Sequence, residues 1–171
     1  VPGAPTSVTA TSSASGVATV SFTAPAANGS AITGYTVTSS PAGATCTVGA
    51  NATTYSCSGL TDGTAYTFSV VATNSIGNSS VAAAAAVTPQ GAASAVTTIS
   101  AVGGDSSAVI TFSGTAANGS TITGYTVQAY DSSGSAVTGA TCTATTSATN
   151  GSCTISDLTN GSQYTFKAVT N

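Results

Sequence analysis

One stretch of this chain occurs twice. The eleven residues from Ala27 to Val37 return from Ala117 to Val127 with a single change, Ala31 becoming Thr121. Cys46 and Cys57 return 96 positions later as Cys142 and Cys153, and Leu60 and Tyr66 return 98 positions later as Leu158 and Tyr164. The growing offset places the insertions in loops. A duplication on this scale predicts two homologous domains, 1–89 and 90–171, each just large enough to close a core of its own. The seam is Thr88-Pro89-Gln90-Gly91-Ala92, where Pro and Gly punctuate the pattern.

Within each copy the apolar residues recur every second position, which is the period of a strand. Ala18, Val20 and Phe22 alternate with Val17, Thr19 and Ser21. Tyr66, Phe68, Val70 and Ala72 alternate with Thr67, Ser69, Val71 and Thr73. The pattern predicts seven strands in the first copy, at 7–12, 17–23, 34–39, 44–48, 53–58, 64–74 and 80–88. Asn28-Gly29, Asp62-Gly63 and Gly77-Asn78 supply turn dipeptides between them. Seven short strands with turns between them read as an antiparallel sandwich. The run Val81-Ala82-Ala83-Ala84-Ala85-Ala86-Val87 competes with this reading, because Ala is the best helix former. So short a run is marginal as a helix, and its flanking valines favour a last strand on an existing sheet edge.

Composition narrows the function. Charged residues are 3% of the chain: Asp62, Asp105, Asp131 and Asp157 are the acids, and Lys167 is the one base. One lysine cannot displace the counterions of a nucleic acid or hold an anionic membrane surface. The longest apolar run is far shorter than a spanning helix requires, so no membrane insertion is expected. Glu, Arg and His are absent, which leaves no imidazole to activate a nucleophile, and the chain reads as a non-enzyme without cofactor or metal. Val1-Pro2-Gly3 has neither the basic nor the apolar region of a signal peptide, and no initiator Met is present, so the sequence is expected to be a processed product or a piece of something longer.

These residues together resemble a known family. Ala4-Pro5, Val20-Ser21-Phe22-Thr23-Ala24-Pro25, Gly34-Tyr35-Thr36-Val37, and Leu60 followed by Tyr66 make each unit similar to a bacterial fibronectin type III domain. The resemblance implies an all-β chain of two tandem immunoglobulin-like antiparallel sandwiches. It also implies a tyrosine corner, Leu60 with Tyr66 and Leu158 with Tyr164, in which a hydroxyl ties a corner of the sandwich to nearby backbone. Where the family usually carries Trp in its second strand this chain has Phe22 and Phe112, expected in the core with Tyr35 and Tyr125. After Tyr164 to Asn171 no seventh strand follows in the second unit, which is expected to present an unpaired edge. Either the sequence is part of a longer array, or another chain supplies the strand.

The four cysteines sit in two pairs with eleven-residue separations and no His nearby, which argues against a metal site. Intradomain disulfides, Cys46 with Cys57 and Cys142 with Cys153, fit an oxidising extracellular setting. Buried free thiols and a redox role are the alternatives. Six sequons, at Asn28, Asn51, Asn78, Asn118, Asn150 and Asn160, are candidate glycosylation sites. Their blander reading is that Asn-Gly-Ser makes good turns. The aspartates are scattered and read as turn residues rather than a calcium loop. Tyr130 is a lone candidate for stacking on a sugar, whereas Tyr55 reads as core. The function expected is a spacer, stalk or filament-building repeat of an extracellular bacterial surface or fibre protein, with neighbouring repeats, identical chains or cell-surface glycans as partners. The alternatives are an accessory module of a secreted polysaccharide-degrading enzyme, and a subunit that polymerises by strand donation to the second unit's open edge.

Overall fold

The computed structural model describes residues 1–47 and 53–171. Every regular element among them is a strand. The chain divides into two compact units, Val1–Gly91 and Ala92–Asn171.

In the first unit, β1 (Thr6–Ala14), β2 (Val17–Thr23), β5 (Thr54–Ser58) and β4 (Thr45–Thr47) form one antiparallel sheet in the order β1-β2-β5-β4. The other sheet is β3 (Ile32–Ser40), β6 (Thr67–Asn74) and β7 (Gly77–Asn78), with β8 (Ala82–Ala83) also pairing β6. The period-two pattern decides which face is wet. Ala18, Val20 and Phe22 of β2 are buried, as are Phe68, Val70 and Ala72 of β6, so the core lies between the two inner faces. The β-branched Thr residues alternating with them suit the outer faces.

The alanine run is not helical, and it is not one continuous strand over 80–88 either. Only Ala82–Ala83 pair with β6, followed by a single bridge between Val87 and Tyr66. The preceding turn dipeptide Gly77-Asn78 is itself the short strand β7. Alanine has little side chain to pack on the sheet, so pairing holds at separate points along the run rather than throughout. Val48, at the end of the expected fourth strand, and the sequon Asn51 fall outside the described residues.

In the second unit β9 (Thr98–Gly104), β10 (Ser107–Ser113) and β13 (Gly151–Ile155) form one sheet in the order β13-β10-β9. The strands β11 (Tyr125–Tyr130), β12 (Ala136–Ala144) and β14 (Thr165–Thr170) form the other, in the order β12-β11-β14. The second unit thus has fewer strands than the first. The units also differ in one edge. β4 lies beside β5, whereas β12 has crossed to the opposite sheet and lies beside β11. A register shift between Gln128 and Tyr130 interrupts the β11–β12 ladder. There the Gln128 side-chain amide donates to the carbonyls of Val137 and Ala140, satisfying groups the ladder leaves open.

Candidate functional site

The features that could carry function are the two corners, the two disulfides, the polar turns and the concave edge of the second unit. In the first corner the Thr61 N–H donates to the Tyr66 hydroxyl at 3.1 Å. The Thr159 N–H donates to the Tyr164 hydroxyl at 3.0 Å in the same way. Leu60 and Leu158 are both buried beside them, and each donates its N–H to the turn between the first two strands of its unit, at Gly16 and Ser106. The two corners differ in cover: Tyr66 is buried, while Tyr164 is half-exposed. The hydrogen bond from Thr159 holds the Tyr164 phenol below its usual pKa.

A second lock sits beside each corner. The Asp62 carboxylate accepts from the Gly16 N–H at 2.7 Å and from the Ser15 hydroxyl. At the matching position, Asn160 Oδ1 accepts from the Ser106 N–H at 2.8 Å and its amide donates to Asp105. Sequence reasoning placed Asp62 and Asn160 only in their own turns. A short polar side chain two residues after the corner leucine was the available signal, but its target lies 46 residues away for Asp62.

Both disulfides are present, Cys46–Cys57 and Cys142–Cys153. They are not equivalent. Cys46 and Cys57 face each other on adjacent strands of one sheet. Cys142 lies on β12 opposite Val127, and Cys153 lies on β13 opposite Ile110, so this bond joins the two sheets. The register shows why. Cys57 is paired with Ala18, and its counterpart, the residue paired with Ala108, is Ile155. Cys153 occupies instead the place that Tyr55 fills in the first unit, opposite Val20. A two-residue slip keeps the side chain on the same face.

The aromatic core follows the same divergence. Phe22 meets Tyr35 at 4.8 Å between ring centroids and stacks on Tyr55 at 5.4 Å. Phe112 meets Tyr125 at 4.6 Å. With Tyr55 replaced by Cys153, Phe112 instead lies over Gly151, where a Cβ would come within 2.8 Å of the ring. The Tyr125 hydroxyl donates to the Ala148 carbonyl at 2.8 Å. Burial raises the phenol pKa of Tyr35 and of Tyr55, and the nearby Tyr35 raises that of Tyr55 further.

Four of the described sequon asparagines are engaged in turns or strands. Asn28 and Asn118 both have positive φ, and their amides donate to the Val1 and Ala92 carbonyls. Asn78 accepts from the Thr73 hydroxyl, and Asn160 makes the lock described above. Asn150 is exposed, and among the described residues its side chain has no hydrogen-bond partner. Asp131 organises its own turn, accepting from the Ser133 hydroxyl and the Ser135 N–H, which lowers its pKa. Lys167 sits 4.4 Å over the Tyr130 ring, so that face is already taken by a cation. Among the described residues no three metal-capable side chains converge, and no helix is long and apolar enough to cross a membrane.

A family model for the fibronectin type III domain matches residues 3–88 and again 94–171. No curated protein matches the chain. Among solved structures, the crystal structure of the chicken CNTN1 FN1-FN3 domains is similar at a TM-score of 0.56 and 17% identity. That match covers 98% of this chain and 60% of the other, so the chain spans less than two thirds of that structure. A two fibronectin type-III domain segment from chicken tenascin matches at a TM-score of 0.46 and 17% identity, covering 97% of this chain and 90% of that one. At that identity the likeness to the CNTN1 domains is one of fold.

Proposed function

We propose that this chain, which belongs to the fibronectin type III domain family, is a non-catalytic structural part of an extracellular bacterial surface or fibre protein, acting as spacer, stalk or filament-building repeat. Domains of this family are generally non-catalytic structural or adhesion modules, and disulfide-bearing ones are typical of extracellular proteins. The observation that carries the reading is that each unit is a separate sandwich with its own core and its own disulfide. Each unit therefore resists unfolding without help from the other. The near absence of charge, 3% of residues, removes the repulsion that would keep such modules apart. Its partners in this role are neighbouring repeats or identical chains, with cell-surface glycans as the target of the assembled protein.

Pulling the chain from its ends tests the mechanical role. Two separate unfolding events are expected. On reduction each should lengthen by roughly 30–35 Å, the extended length of the 11 residues that each disulfide spans less the 4.0 or 5.8 Å its cross-link already bridges. A single merged event at negligible force would overturn the reading.

A further inference from the structure

Asn is followed by Gly four times in this chain, at Asn28, Asn118, Asn150 and Asn160. Glycine has no Cβ to shield its backbone nitrogen, so in each pair that nitrogen lies open to the carboxamide carbon of the asparagine before it. Folding decides whether the two meet. Three of the pairs sit at the centre of closed turns. The Ser30 N–H donates to the Ala27 carbonyl at 3.5 Å, Ser120 to Ala117 at 3.0 Å and Ser162 to Thr159 at 3.2 Å, each bond spanning one pair. The same three asparagines have their side-chain amides tied. Asn28 donates to the Val1 carbonyl at 3.2 Å, Asn118 to the Ala92 carbonyl at 3.0 Å and Asn160 to the Asp105 carboxylate at 2.7 Å. A carboxamide so held does not turn onto the next nitrogen unless its turn opens.

Asn150 is under none of these restraints. It is exposed, its side chain has no hydrogen-bond partner among the described residues, and no closing bond spans its pair. The loop that it ends is anchored elsewhere, through backbone groups. The Tyr125 hydroxyl donates to the Ala148 carbonyl at 2.8 Å, and the Thr115 N–H to the Thr149 carbonyl at 3.4 Å. Gly151 opens β13, an edge strand, and its pairing with Phe112 is the last rung of that ladder. A terminal rung opens at little cost in free energy, which frees the Gly151 nitrogen. Packing imposes the glycine, because a Cβ at that position would come within 2.8 Å of the Phe112 ring. In the first unit Thr53 stands opposite Phe22 instead, preceded by Ala52, so that unit has no such pair at this place.

From this contrast we infer that Asn150 is a modification site at which the folded chain deamidates spontaneously. The Gly151 nitrogen attacks Cγ of Asn150 and forms a new C–N bond. The bond from Cγ to Nδ2 breaks, the Gly151 proton passes to the leaving group, and ammonia departs from a five-membered succinimide. Water then adds at either ring carbonyl and opens the ring, leaving aspartate or isoaspartate at position 150. No enzyme, oxidant or cofactor is required. The product places a new carboxylate on an exposed loop, and the isoaspartate branch adds a methylene to the backbone at the entrance to β13. The inference does not depend on the structural role proposed above.

The test ages the full 171-residue chain, disulfides intact, in mildly alkaline buffer and maps the products after peptic digestion at low pH. Each conversion is read from its gain in mass and from isoaspartate labelling by a protein isoaspartyl methyltransferase. Asn150 is expected to convert about tenfold or more faster than Asn28, Asn118 or Asn160. In the reduced chain held unfolded in urea, the four sites should convert at similar rates. Asn150→Gln should abolish the fast conversion, since its longer side chain does not close the five-membered ring. Three results would each overturn the inference: another of the four sites converting as fast as Asn150 in the folded chain, no conversion of Asn150 while the unfolded chain reacts, or a fast conversion that survives Asn150→Gln.

Discussion

The two tyrosine corners offer a paired experiment, because the same hydrogen bond is made under different cover. Tyr66→Phe removes the acceptor of the Thr61 N–H beneath a ring that is 6% exposed, where water does not readily replace it. A donor left unsatisfied in such a place costs about 1–2 kcal/mol. Tyr164→Phe removes the same acceptor at a solvent-exposed bond, where water takes over and the loss should be much smaller. Hydrogen exchange read by mass spectrometry separates the units, since their peptides do not overlap. The expectation is that globally protected amides of the first unit exchange about 5–30-fold faster in Tyr66→Phe, with the second unit unchanged. In Tyr164→Phe the second unit should change by about twofold. Equal losses, or a larger loss in the second unit, would refute the argument that cover rather than bond geometry sets the worth of this motif.

Three further outcomes follow from the structure. Each disulfide closes the same separation of 11 residues, so replacing either pair by Ala should cost its own unit about 3 kcal/mol in urea unfolding; a loss confined to one pair would show that chain entropy is not the main term. Asp62→Asn should be nearly neutral, since Asn160 makes the equivalent bond to Ser106, whereas Asp62→Ala should lower thermal stability by about 1 kcal/mol; equal behaviour of the two variants would sink the lock. Tyr35 and Tyr55 have raised pKa values, so the folded state favours the neutral phenol. Their contribution is fully present below the ordinary tyrosine pKa and is lost as pH rises through the higher folded value. Alkaline titration followed by phenolate absorbance should therefore show two late-ionising tyrosines, which Tyr35→Phe and Tyr55→Phe remove one at a time.

What was legible in the sequence is what alternation encodes. The buried faces of β2, β6 and β10 are set by period two, and no tertiary contact is needed to read them. Gly-containing turn dipeptides likewise announce themselves, because positive φ is cheap for few residues. The last strand of the first unit was only partly legible. Five consecutive alanines carry no inside-outside pattern, so where they touch β6 is decided by the sheet edge they run along and not by the run itself. The locks made by Asp62 and Asn160 were invisible for another reason: a hydrogen bond across most of a domain leaves no local spacing.

The cysteines show how a repeat can mislead. Their spacing is the same in both copies, which suggests one disulfide drawn twice. The distance to the corner leucine says otherwise, three residues from Cys57 to Leu60 but five from Cys153 to Leu158. Measured from that fixed corner, the second pair has moved by two positions on an unchanged inner face, and Cys153 stands where Tyr55 stacks on Phe22. The edge strand carrying its partner lies on the other sheet. A sandwich tolerates this because its inner faces and corners are fixed by burial, while an edge strand is held by one neighbour only and can pair with either sheet. The two copies therefore agree where packing is dense and differ where a strand has a free side.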